Sequence, residues 1–95
     1  MARVLVYGAE WCPLTLGFRK YLQQSGIPFE LHDVEHDPEA EQAVRAMNGG
    51  ELKFPMVAVG ELESHWKPGD DARTLKNPRL AELRETLQRY GFPVN

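Results

Sequence analysis

The stretch Glu10-Trp11-Cys12-Pro13-Leu14-Thr15 decides the reading of this chain. It carries the single cysteine and sits where a strand hands over to a helix. Before it, Arg3-Val4-Leu5-Val6-Tyr7 is a short apolar run with β-branched residues, which predicts a buried strand broken by Gly8 and Ala9. After it the apolar period changes. Leu14, Phe18, Tyr21 and Leu22 fall on one face of a helix. Pro13 suits the first helical position, because its fixed φ is helical and the N–H it lacks would be unpaired there. That spacing puts Cys12 at the N-cap.

The other helices follow the same grammar. Asp37-Pro38 opens the second and Asn77-Pro78 the third, each a favoured capping residue followed by proline. Gly26, Gly49 and Gly91 stand where left-handed residues end helices. In the first helix a cysteine replaces the oxygen cap. A thiol caps poorly, whereas a thiolate is favoured by the free N–H groups and the positive end of the helix dipole. The same geometry lowers the thiol pKa, and the thiolate is the nucleophile.

Composition narrows the function classes. The 95 residues are enough for one core, so the chain reads as one domain over residues 1–95. The net charge of −3, with no basic stripe, argues against a nucleic-acid surface. The apolar runs are too short to span a membrane, and no export signal precedes the first strand. A lone cysteine forms no internal disulfide, so a cytoplasmic location is the expectation. No metal is expected, since His32, His36 and His65 lack ligand spacing and there is no second thiol.

Further along, Pro28 to Val34 predicts a second strand with Phe29 and Leu31 on one face. Pro38 to Met47 predicts a helix with Ala40, Ala43, Val44 and Met47 as its apolar stripe. Phe54 to Val59 reads as a third strand, with Pro55 at its opening because proline cannot donate to a ladder. Gly60 to Asp71 is polar and reads as a long hairpin connection. Ala72 to Leu75 is the expected fourth strand, in competition with Leu62 to Trp66. Pro78 to Tyr90 closes the chain as a helix with Leu80, Leu83, Leu87 and Tyr90 facing in. The order is β-α-β-α-β-β-α: an α/β fold with a small mixed sheet, strands one and two parallel, the last two antiparallel, and helices on both faces. The cysteine then lies at the carboxyl end of a strand, where open α/β sheets place their sites.

These residues resemble the glutaredoxins, and among them the mycoredoxin-type small redoxins. The resemblance covers nearly the whole chain. It rests on Trp11-Cys12-Pro13-x-Thr15, Gly26-Ile27-Pro28-Phe29, Asp33-Val34-Glu35 with Asp37-Pro38-Glu39-Ala40, Asn48-Gly49-Gly50, Pro55, and Thr74-Leu75-x-Asn77-Pro78. It implies a thioredoxin-like, glutaredoxin-type three-layer sandwich with a four-stranded mixed sheet. It also implies that Cys12 is the nucleophile and that the Phe54–Pro55 bond is cis, beside the thiol. The chain departs from the family in two places. Thr15 stands where the family's C-x-x-C has its second cysteine, and the Gly60 to Asp71 connection is longer than the family's tight hairpin, which borders the substrate groove. Many glutathione-using members also carry a Lys shortly before the cysteine, where Gly8-Ala9-Glu10 offers none. Gly69-Asp70-Asp71 is similar to the Gly-x-Asp-Asp stretch that holds a γ-glutamyl end in those enzymes.

The resemblance implies a monothiol oxidoreductase of cell redox homeostasis. Cys12 would take a low-molecular-weight thiol from a protein mixed disulfide, with Thr15 donating to the thiolate, and a second small thiol would free Cys12. That small thiol is the expected co-substrate, thiol-bearing proteins are the expected partners, and the chain is expected to be a monomer. Trp11, Pro13, Phe54 and Pro55 are the candidate substrate-binding residues. Competing readings remain open from the residues alone. Cys12 could be a small buried hydrophobe, Thr15 an exposed first-turn residue, Trp11 core or rim, and Trp66 a packing residue. His32 and His36 read as surface residues, and Glu35 to Glu41 as a solvated helix start. The whole could instead be a redoxin fold turned binding module. It could also be an iron–sulfur carrier, although such carriers share a C-G-F-S motif and Pro13 stiffens the loop.

Overall fold

After Arg3, every residue of β1 (Arg3–Gly8) is buried, and its side chains alternate between two cores. The computed structural model describes residues 2–62, 68–69 and 71–94. The elements run β1, α1 (Pro13–Gln24), β2 (Glu30–Asp33), α2 (Pro38–Met47), β3 (Met56–Gly60), β4 (Arg73–Lys76) and α3 (Leu80–Arg89). They form a four-stranded sheet in the order β2-β1-β3-β4, with β1 parallel to β2 and antiparallel to β3, and β3 antiparallel to β4. On one face Val4, Val6, Val57, Val59 and Leu75 meet Phe18 and Leu22 of α1 and Leu83 and Leu87 of α3. On the other, Leu5, Tyr7, Met56 and Ala58 meet Ala40, Ala43 and Val44 of α2. This is the three-layer α/β arrangement expected from the order of elements.

The caps account for two of the three helix starts. Asp37 accepts from the N–H groups of Glu39 and Ala40 at 3.0 and 3.4 Å. Pro13 is the first residue of α1 and Cys12 its N-cap. The third start differs from expectation. Asn77 is not the cap of α3: its N–H goes to the Pro55 carbonyl at 2.9 Å, it takes a left-handed φ of 44°, and Pro78 is buried. With Asn77 committed to the sheet end, the chain needs two more residues to turn, and Arg79 becomes the cap. Asn is among the few residues other than glycine that tolerate this conformation.

Other differences are local. β1 runs through Gly8, which pairs with Asp33 of β2, so Gly8 does not break the strand. Leu14 and Leu80, both expected to face inward, are 53% and 51% exposed. The inward stripe of α1 is Thr15, Phe18 and Leu22, and Leu14 lies one residue off it. Leu80 is the first residue of α3 and lines a groove shared with α1. His32 is half-buried and stacked on Tyr7, with ring centroids 5.4 Å apart.

The β3–β4 connection lies far from where the sequence placed it. In the β1–β3 register Met56 stands opposite Tyr7 and Gly60 opposite Arg3. The described ends of the long connection therefore meet the sheet at the amino end of β1, the end opposite the turn to Cys12. Gly69 and Asp71 lie in it, with the Gly69 N–H bonded to the Glu61 carbonyl at 2.7 Å. Asp70, in the middle of the stretch similar to a γ-glutamyl-holding one, lies outside the described residues. Gly60 permits the close turn: its φ is 146°, and a Cβ there would sit 2.6 Å from Ala72 Cα. The competing strand over Leu62 to Trp66 falls largely on residues 63–67, outside the described residues, as does Trp66 itself; Leu62 makes one isolated bridge to Pro68.

Removing the Asp37 carboxylate leaves two first-turn N–H groups of α2 unpaired. Asp37→Ala is expected to lower unfolding stability by about 1 kcal/mol, checked by urea denaturation with an unchanged m-value.

Candidate active site

β1 delivers the chain to a tight turn, where the Cys12 N–H donates to the Ala9 carbonyl at 3.0 Å and the Cys12 carbonyl accepts from Leu16 at 3.1 Å. Cys12 is 7% exposed. As a thiol it makes no cap hydrogen bond to the first turn. As a thiolate it is the natural acceptor for the donors around it. Burial pushes the thiol pKa up, but the Thr15 backbone N–H, the Thr15 hydroxyl and the Leu14 N–H more than offset this and hold it below the ordinary thiol value.

Thr15 is not an exposed first-turn residue. It is 0% exposed, packed against Gly8 so closely that any Cβ at Gly8 would collide with its side chain. Its Oγ1 accepts from the Ala9 N–H at 3.4 Å, which leaves the hydroxyl proton for the sulfur. Sequence reasoning singled out Thr15 but missed Gly8 and Ala9, which fix its position. A glycine four residues before the cysteine, at the end of the apolar strand, was the available signal.

Trp11 forms the rim. It is 64% exposed, its indole N–H donates to the Glu35 carboxylate, and its ring meets Phe54 edge-on at 6.0 Å. Glu35 belongs to an acidic stretch that reads from sequence as a solvated helix start, and its role in holding Trp11 was not legible there. Pro13 is exposed next to the thiol, and Pro55 is buried. The Phe54–Pro55 bond is cis. Pro55 and Phe54 belong to the segment that enters β3, at the same sheet end as Tyr7. Beside the rim, His36 Nδ1 pairs with Asp33 Oδ2 at 2.7 Å. The carboxylate raises the His36 pKa, and His36 in turn lowers that of Asp33. Among the described residues no three His, Cys, Asp or Glu side chains group as metal ligands would. No helix there is long and apolar enough to cross a membrane.

A reactive-type thiol at a helix N-cap, at the carboxyl end of a central strand, narrows the comparison to redox folds. The Glutaredoxin family profile matches residues 4–62. The chain belongs to the glutaredoxin family. A Mycobacterium tuberculosis protein named as a glutaredoxin is 28% identical over 86 residues, 90% of each chain. Mycoredoxin 1 of Corynebacterium glutamicum is 35% identical over 61 residues, covering 64% of this chain and 75% of that protein. The solved glutaredoxin of Archaeoglobus fulgidus superposes with a TM-score of 0.66 at 22% identity, over 93% of this chain and 88% of its own. That likeness shows the thioredoxin-like fold. The chain is thus a glutaredoxin by family, with similarity to mycoredoxin 1 within it, and a thiol-oxidoreductase-like protein by class.

Two measurements follow from the site. Thr15→Ala removes one donor to the sulfur while leaving the helix terminus intact. The pH profile of Cys12 alkylation is expected to move to higher pH, and an unmoved profile would mean the helix terminus alone sets the thiol. The His36 ring is expected to titrate by NMR above the ordinary histidine value, and Asp33→Asn to bring it down. Sign matters for stability. The His36 contribution is present below its unfolded value and lost as pH rises through the raised folded value. The Asp33 contribution is present above its unfolded value and lost as pH falls.

Proposed function

We propose that this single-domain glutaredoxin is a monothiol oxidoreductase that removes low-molecular-weight thiols from protein mixed disulfides. The observation that carries the reading is the buried Cys12 at the α1 N-cap, with three donors set to stabilise its thiolate. The Cys12 thiolate attacks the sulfur of the small thiol. A new disulfide forms between Cys12 and the small thiol, the old S–S bond breaks, and the protein thiolate leaves with the electron pair and takes a proton. A second small thiol, as thiolate, attacks the same sulfur, releasing Cys12 and a small-molecule disulfide. No second cysteine enters, which suits Thr15 at the fourth position.

Thr15 stabilises the thiolate before attack and after release. Trp11 and Pro13 flank Cys12 in the chain, Phe54 packs on Trp11, and these residues with Pro55 would contact the incoming disulfide. A lone thiol with no structural disulfide suits a reducing cytoplasm and a monomer that meets its targets singly. Neither a metal nor a bound cofactor enters this scheme, and the small thiol is the co-substrate.

A reporter protein blocked with a panel of small thiols, cysteine and glutathione among them, tests the reading. Mass spectrometry is expected to find the adduct of at least one on Cys12 with the reporter freed, and Cys12→Ser to abolish both. A panel that leaves Cys12 unmodified throughout would sink the proposal and favour a binding role.

A further inference from the structure

Trp11 is exposed and one peptide bond from Cys12, yet its side chain is held at two points. Its indole N–H donates to a Glu35 carboxylate oxygen, and its ring meets Phe54, the residue before cis-Pro55, edge-on. A free surface tryptophan has several rotamers to explore, and one edge-on ring contact restrains it weakly. A hydrogen bond to a carboxylate is directional and stronger, so Glu35 selects the orientation. The orientation matters because Cys12 is only 7% exposed. A ring that swung from Phe54 onto the first turn of α1 would close what access there is.

Glu35 can hold Trp11 only if Glu35 is itself held, and the turn after β2 does this. The Asp33 carbonyl accepts from the N–H groups of His36 and Asp37 at 3.3 and 2.9 Å. One Asp33 carboxylate oxygen accepts from the Glu35 N–H at 2.9 Å, and the other pairs with His36 Nδ1 at 2.7 Å. Buried Val34 anchors the turn, its N–H donating to the Gly8 carbonyl at 3.0 Å. The turn that carries Glu35 is therefore tied to the same Gly8 against which Thr15 packs. One residue of β1 is the common reference for the donor to the sulfur and for the ring beside it.

We propose that Glu35 is a positioning residue for exchange at Cys12: it orients Trp11 against Phe54, and that orientation keeps the thiolate open to the incoming disulfide. This rests on the exchange reading above and adds the residue that governs access to it. Glu35 acts through the indole and not on the sulfur. The groups that hold the thiol below its ordinary value belong to Thr15 and Leu14.

Glu35→Gln and Glu35→Ala test it together. Both remove the charge, but only Gln keeps an acceptor for the indole N–H, so the difference between them reads the hydrogen bond alone. The substrate is a peptide with one cysteine blocked by 2-mercaptoethanol, an uncharged thiol, and the adduct on Cys12 is timed by mass spectrometry. Glu35→Ala is expected to react roughly fivefold slower than Glu35→Gln, while iodoacetamide alkylates both with the same pH profile. In a Trp11→Phe background, which keeps a ring and lacks the N–H, Gln and Ala at position 35 are expected to react alike. The indole N–H resonance that vanishes in Trp11→Phe is expected to shift further in Glu35→Ala than in Glu35→Gln. Equal exchange rates for Gln and Ala, a difference that survives Trp11→Phe, a difference in alkylation profile that accounts for the rates, or an indole signal unmoved in Glu35→Ala would each overturn the positioning role while leaving exchange intact. Failure of the wild-type protein to take the adduct would remove the exchange reading, and the role of Glu35 with it.

Discussion

The packing of Thr15 against Gly8 is the constraint on which the site depends. Burying a sulfur favours the neutral thiol, and only donors fixed in place can reverse that. Two of the three donors to Cys12 come from Thr15. Its hydroxyl is fixed because there is no side chain at Gly8 to displace it and the Ala9 N–H anchors its oxygen. The chemistry of Cys12 is thus set by a glycine on the preceding strand as much as by the helix it caps.

The sheet register then separates what must stay constant from what is free to vary. β1 is central and fully buried beyond Arg3, so it fixes the turn to Cys12 between two cores. The antiparallel β3 brings the Phe54–Pro55 segment to that same end and sends the long β3–β4 connection to the other. A lengthened loop costs little closure entropy for each added residue. Both of its described ends join the sheet at the end opposite Cys12. β4 returns to the site end, where Asn77 is tied to Pro55 and turns the chain into α3. That tie brings Leu80 and Arg79 alongside the first turn of α1.

The surroundings of the thiol are uneven, and the unevenness is chemical. On one side Trp11 is pinned by Glu35 and Phe54 within an acidic rim. On the other lies an apolar groove with a cation at its edge.

The sequence alone determined the element order, the α2 cap at Asp37, the first-helix start at Pro13 and the N-cap position of Cys12. These features are written in local chemistry: apolar period, proline's missing N–H, and the reach of a short carboxylate. Tertiary structure decided the rest. Leu14 and Leu80 read as core because a helical period shows which residues share a face, not whether a neighbour covers that face. Asn77 read as a cap because Asn-Pro has that local meaning, until a bond to Pro55, more than twenty residues earlier, claimed its N–H. The long connection read as a neighbour of the thiol because which end of a sheet a hairpin leaves from depends on strand pairing across the chain. Thr15 was legible as a candidate but not as a buried donor, since its burial comes from a contact with Gly8 that forms only when β1 and α1 pack together.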